Sequence, residues 1–140
     1  IEEVRAAVSP LGCALSADIF GIVVSVRNDQ GLGQRPEELS PHLEAVSPMV
    51  YPSHYSDGWL GYPDPNARPY EVTARALDDA LPRVNGGAVL RPWLQAFSWS
   101  PSQIREAIRA AEERGVGWML WNVGSSFDPA AIPTDEELAG

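Results

Sequence analysis

At 140 residues, with 44% apolar and 21% charged side chains, the chain has the size and balance of one globular domain, not of a disordered or fibrous segment. Nineteen acidic against ten basic residues give a net charge of -9, which argues against a nucleic-acid-binding role, since that calls for a clustered basic surface. No apolar run approaches the roughly 18 residues of a membrane span, and no signal-peptide pattern is present. Beginning at Ile1 without a methionine, the chain reads as processed, trimmed or cut from something longer, so the missing targeting signal says little about compartment. The single cysteine, Cys13, excludes an internal disulfide and a multi-cysteine zinc site, and reads as a small apolar filler in a strand.

In chain order, Ile1 to Val8 reads as the end of a helix, with Val4 and Val8 on one face. Cys13 to Asp18 reads as a strand, placing Cys13, Leu15 and Ala17 on a helix-facing side and Ala14, Ser16 and Asp18 on a crowded inner side. Ile22 to Val26 either extends that strand or begins a loop. Gly31 to Gln34 is loop, and Pro36 to Ala45 a short helix with proline in its first turn. Val46 to Tyr51 is the next strand. Tyr55 to Arg68, rich in Gly, Pro, Asp and Asn, is a long loop of the kind that often carries function.

Pro69 to Leu81 is a helix with Val72, Ala76, Leu77 and Ala80 as its apolar stripe. Val89 to Gln95 and Val116 to Asn122 read as strands. Between them, Ser100 to Arg114 is the best specified helix: Ser100 caps it, Pro101 occupies its first position, Gln103 completes a capping box and Gly115 stops it. Pro133 to Ala139 reads as a short final helix. Pro48 and Pro92 fall inside presumed parallel strands, where each removes a ladder donor, so both are expected at bulges or strand-end distortions. Strands alternating with helices imply parallel neighbours joined by right-handed crossovers.

Three strands run from apolar residues into polar and aromatic ones. Ser47 to Tyr55 ends in Tyr51, Ser53, His54 and Tyr55; the next carries Arg91, Trp93 and Gln95 on one face; the last ends in Trp121 and Asn122. Such strand ends characterise the active-site face of an α/β barrel. Asp18, the one acid at a predicted strand end, reads as a catalytic carboxylate or as a loop cap. His54 suits a substrate hydroxyl or a role stapling the loop. Arg91, if inward and deep, needs a carboxylate partner, Asp18 or one outside the chain. Gln95 suits hydroxyls, and Trp93 either stacks on a ligand or packs in the core. Five tryptophans suit sugar rings, whose C–H faces stack on indoles while amides and carboxylates take the hydroxyls. Two histidines, His42 and His54, make a metal site an unfavoured reading, and Gly31-x-Gly33 lacks the rest of a phosphate loop. No cofactor is expected.

The strings Ser-Ala-Asp-Ile-Phe-Gly (16–21), Gly-Leu-Gly-Gln (31–34), Ser-Pro-Met-Val-Tyr-Pro-Ser-His-Tyr (47–55), Pro-Tyr (69–70), Arg-Pro-Trp-Leu-Gln-Ala-Phe (91–97) and Gly-Trp-Met-Leu-Trp-Asn (117–122) together resemble a glycoside hydrolase-like family of bacterial TIM barrels, mostly of unassigned function. The resemblance runs in order over nearly the whole chain but covers about half of that family's barrel. It implies a single domain over 1–140, the C-terminal half of a TIM (β/α)8 barrel with about four βα units. The first four strands, with an acidic strand end of their own, would lie outside it. Where the family tends to carry Asp before Val46, this chain has Glu44-Ala45, at the start of a strand and away from the site.

The resemblance implies hydrolysis of a poly- or oligosaccharide, with Asp18 catalytic and Tyr51, His54, Tyr55, Arg91, Trp93, Gln95, Trp121 and Asn122 binding substrate. Glycosidic cleavage usually needs two carboxyl groups, about 5 to 5.5 Å apart for retention or roughly 6.5 to 9.5 Å for inversion. The second is expected from the missing half, leaving this piece inactive alone and prone to self-associate or to pair with that half. Enzymes of this type are often exported. Two alternatives stand beside this reading: a non-catalytic carbohydrate-binding barrel, and a small open-sheet module with an unrelated ligand. The saccharide reading requires Asp18, His54, Gln95 and Asn122 to share one rim.

Overall fold

The structure, a computed structural model, describes residues 1–138. Five short strands form one sheet: β1 (Ser16–Phe20), β2 (Ala45–Val50), β3 (Val89–Leu90), β4 (Trp93–Gln95) and β5 (Met119–Trp121). All pairings are parallel, and β3 and β4 both pair with β2, so they are two parts of one strand position. The sheet therefore runs β1, β2, β3/β4, β5 in chain order. Between β1 and β2 lie α2 (Ile22–Ser25) and α3 (Pro36–Leu39); α4 (Pro69–Ala80) precedes β3, and α5 (Pro101–Glu112) precedes β5. α1 (Glu2–Val8) and α6 (Asp135–Leu138) flank the whole.

Strand alternation sorts residues between two faces. Ile19, Val46, Val50, Leu90 and Leu94 join Val23 and Val24 of α2, Leu77 and Ala80 of α4, and Ile104, Ile108 and Ala111 of α5 in one buried cluster. Side chains that alternate with these point to the other face: Asp18 and Phe20, Ser47 and Met49, Trp93 and Gln95, Met119 and Trp121. α5 owes its start to the expected device. Ser100 accepts from the Gln103 N–H while the Gln103 side chain accepts from the Ser100 N–H, a reciprocal cap over Pro101, and Gly115 leaves the helix at φ +63°. Arg114 then forks onto Asp78, tying α5 to α4.

The prolines behave differently from a bulge. β2 is continuous through Pro48, and its register against the neighbour is the same below the break (Val46 with Leu90) as above it (Met49 with Trp93). In a parallel ladder alternate residues face the same neighbour. Val46 accepts from the Arg91 N–H, so Pro48, two residues on, faces that neighbour with no N–H to give. Pro92 sits in the interruption itself, between β3 and β4. Pro92 faces β5, its carbonyl accepting from the Met119 N–H, so each proline removes a donor from a different ladder and the register against β2 is unshifted.

Several boundaries differ from expectation. β1 starts at Ser16, not Cys13, because the N–H of Leu15 is taken by the Glu44 carboxylate; Cys13 is exposed and outside the strand. β1 continues to Phe20, so Asp18 is mid-strand instead of terminal. The helix at 36 lasts four residues and tightens into a 3₁₀ turn over Ser40–His42, where Pro41 brings no donor. β5 begins only at Met119. Of the final helix, Asp135–Leu138 is helical, and Ala139 lies outside the described residues. No helix among the described residues is long and apolar enough to cross a membrane.

Candidate functional site

The uncovered sheet face and the C-terminal ends of its strands bring most of the singled-out residues together. Asp18 is the only strand carboxylate among the described residues, and it is exposed on that face. Trp93 donates its indole N–H to Asp18 Oδ1 at 2.9 Å, and Trp121 meets Trp93 edge to face with ring centres 5.9 Å apart. Trp121 is 45% exposed, so one aromatic surface beside the carboxylate is open.

Tyr51 follows β2 and is buried; its phenol is pushed up to about 12, first by burial and then by the Asp18 charge. The 3₁₀ turn Pro52–His54 lifts His54 over the strand end, where its exposed ring packs 5.4 Å from Tyr51 and 5.6 Å from Phe97. Phe97 closes the triangle at 5.5 Å from Tyr51. Phe97 was not singled out from sequence, although the alternation Trp93, Gln95, Phe97 carries it to the same face.

Gln95 and Asn122 make contacts within the fold itself. Gln95 is wholly buried, with its Oε1 accepting from the Ser53 N–H and its Nε2 donating to Asn66 Oδ1 and the Phe97 carbonyl. Its amide is used in holding the long loop to β4 and is not offered to a hydroxyl. Trp99 reinforces the same joint by donating to Asn66. Asn122 donates to the Ala96 carbonyl and accepts from the Gly124 N–H, which fastens the end of β5.

Tyr55 keeps part of its ring exposed, stacked on Trp59 at 5.2 Å. Its hydroxyl end is buried against Gly21, and burial raises its phenol above the ordinary tyrosine value. Arg91 departs furthest. It follows β3 directly, is exposed, and lines a shallow cleft with Leu81, Val89, Arg114 and Gly117, beside the C-terminal ends of α4 and α5. It makes no ion pair with Asp18, whose Oδ1 accepts from Trp93; the other expected partner, a carboxylate outside the chain, is not among the described residues.

His54, Gln95 and Asn122 thus share the C-terminal rim, while Asp18 stands below it on the open face. Among the described residues no group of three or more His, Cys, Asp or Glu side chains converges as a metal site would require. The hydroxyl of Ser47, beside Asp18, is buried without a partner among the described residues.

The fold is that of a parallel α/β protein in which one sheet face is packed with helices and the other presents a carboxylate framed by indoles. A family model described as a "putative glycosyl hydrolase domain" matches residues 1–127, and the chain belongs to that family. Comparisons with curated proteins and with solved structures gave no match.

Proposed function

We propose that this chain forms one wall of a glycoside hydrolase acting on a poly- or oligosaccharide, with Asp18 supplying one of two catalytic carboxyl groups. The observation that carries the reading is the Asp18–Trp93 contact: a strand-borne carboxylate oriented by an indole, beside an exposed Trp121 and the Tyr51–His54–Phe97 aromatic cluster. Apolar sugar faces would lie on Trp121 and Trp93, with His54 and the Tyr51 phenol available to hydroxyls.

The four strand positions in chain order, all parallel with helices on one side, are what half of a (β/α)8 barrel would supply. The remaining strands and the second carboxyl group would then come from outside the described residues. The test is turnover of reducing-end-labelled glycans by the longest natural polypeptide containing this chain. Asp18→Asn in that polypeptide is expected to cut kcat about 10²–10⁴-fold with sugar binding kept.

A second reading, a non-catalytic carbohydrate-binding wall, is favoured by Asp18 being the only strand carboxylate among the described residues. It predicts glycan binding without turnover even before Asp18 is changed.

A further inference from the structure

The five tryptophans divide by what their indoles do. Trp93 donates to Asp18, Trp99 to Asn66 and Trp118 to Glu112, and the last two also pack against the buried cluster. The indole N–H groups of Trp59 and Trp121 find no acceptor among the described residues, and neither ring joins that cluster. Trp121 already borders the Asp18–Trp93 contact. Trp59 stands apart, half-exposed at the tip of the long loop after β2, with one face stacked on Tyr55. Gly58 and Gly61 hold that tip at φ +83° and +85°, and Leu60 between them sits at +54°, a region that branched side chains rarely enter. The Gly58 N–H donates to the Tyr62 carbonyl and the Tyr62 N–H to the Trp59 carbonyl, which closes the tip on itself. Lower down, the Tyr55 hydroxyl lies against Gly21, and Asn66 is clamped by Gln95 and Trp99. Backbone strain held this firmly tends to cluster where ligands bind.

Gly21 directly follows β1, so the Tyr55–Trp59 stack stands by the C-terminal end of that strand, whereas Trp121 belongs to β5. The sheet order β1, β2, β4, β5 puts them three strand spacings apart, roughly 14 Å. We propose that Trp59 is the platform of a second, distal saccharide subsite, so that the glycan runs across the strand ends from Trp121 to Trp59. The inference rests on the saccharide reading above and adds a substrate class to it: an oligosaccharide long enough to reach both indoles. A single ring cannot bridge that span. The face of Trp59 turned away from Tyr55 receives the C–H side of one sugar ring, and its unused N–H is a donor for a hydroxyl. Tyr55, with its hydroxyl buried, supports the platform from behind. Because the loop already fixes the indole, little ordering is left for the ligand to impose.

The test uses the longest natural polypeptide containing this chain, carrying Asp18→Asn so that bound glycans stay intact. The probes are linear α- and β-linked homo-oligosaccharides from one ring to about six, titrated by calorimetry. Trp59→Ala is expected to weaken the longest bound oligomers on the order of tenfold and to leave the shortest unchanged, whereas Trp121→Ala weakens every length. Oligomers bound equally well with and without Trp59 overturn the inference and leave the saccharide reading standing. A loss equal at all lengths also overturns it, since Trp59 would then act on the fold or on the Trp121 subsite. No binding of any oligomer overturns both readings. Should Trp59→Ala disturb the loop, indole oxidation by N-bromosuccinimide in the polypeptide with Trp59 intact decides. Trp59 is expected to be protected by the longest bound oligomer and not by the shortest, and equal oxidation with both overturns the inference.

Discussion

Trp93 stands one row nearer the C-terminal pole than Asp18, yet its indole turns back across β2 to donate to Asp18 Oδ1 at 2.9 Å. The contact fixes which way the carboxylate points, and it does so from the far side of β2, where Pro48 brings no backbone donor to the ladder. Trp93→Phe keeps the ring and removes only the donor. The expected result is a folded protein destabilised by about 1 kcal/mol, with turnover in the longer polypeptide lowered tenfold or more. Urea unfolding and single-turnover kinetics measure the two effects, and unchanged kinetics would remove Trp93 from the site.

Tyr51 reports on the same carboxylate. Its phenol is raised to about 12 by burial first and by the Asp18 charge second. A raised pKa means the neutral phenol is favoured in the folded state, so this contribution to stability is present below about pH 10 and lost as pH climbs through 10 to 12. Asp18→Asn removes the negative neighbour and should lower the Tyr51 pKa, leaving it above the ordinary value because burial persists. Carbon-detected titration of labelled tyrosine follows this, and an unmoved Tyr51 would separate the two groups.

Gly21 is where β1 hands over to α2, and the approach there leaves no room for a side chain. A Cβ would lie 2.3 Å from the Met49 carbonyl oxygen and 2.5 Å from the Tyr55 hydroxyl. Gly21→Ala is therefore expected to cost about 2 kcal/mol or more, since backbone must move. Thermal unfolding gives the loss, and Tyr55 and Trp59 resonances should shift with it.

Arg83 closes the end of α2 from a distance. Its Nη1 donates to the carbonyls of Val23, Val24 and Val26 at 2.6 to 2.9 Å while Nε and Nη2 hold Glu37. Arg83→Ala strands several carbonyls and should destabilise by about 2 to 3 kcal/mol; lysine, a point charge without the fork, should recover little of it. Denaturant midpoints for the two variants supply the comparison.

The Arg114 fork holds the Asp78 carboxyl below the usual aspartate value. A depressed carboxylate stabilises the fold above its ordinary titration range, near pH 4, and that contribution fades as pH falls through the depressed folded value. The stability gap between the unaltered chain and Asp78→Asn should narrow towards acid. A gap constant with pH would assign the effect to packing.

The order of elements was legible because it is written locally. Pro101 behind a capping Ser100, and Gly115 after the last helical turn, act within a few residues of chain. The fate of Gln95 was not legible, since its partners are Ser53 and Asn66, 42 and 29 residues away. A polar residue at a strand end looks alike whether it faces a ligand or a returning loop. Asp18 was placed on the right face and at the wrong height, because Ile19 and Phe20 extend the strand only by pairing with Pro48 and Met49. Arg91 was not legible, since its expected partner was either Asp18, whose Oδ1 accepts from a tryptophan on another strand, or a carboxylate outside the chain.

The missing donors at Pro48 and Pro92 fall on opposite sides of one strand position. Pro48 lacks the N–H that would cross to β3/β4, whereas Pro92 lacks the one that would cross to β5, whose Met119 N–H its carbonyl still accepts. The Trp93–Asp18 contact, reaching from β4 over β2 to β1, is thereby a side-chain tie laid across a ladder that its own backbone leaves one bond short.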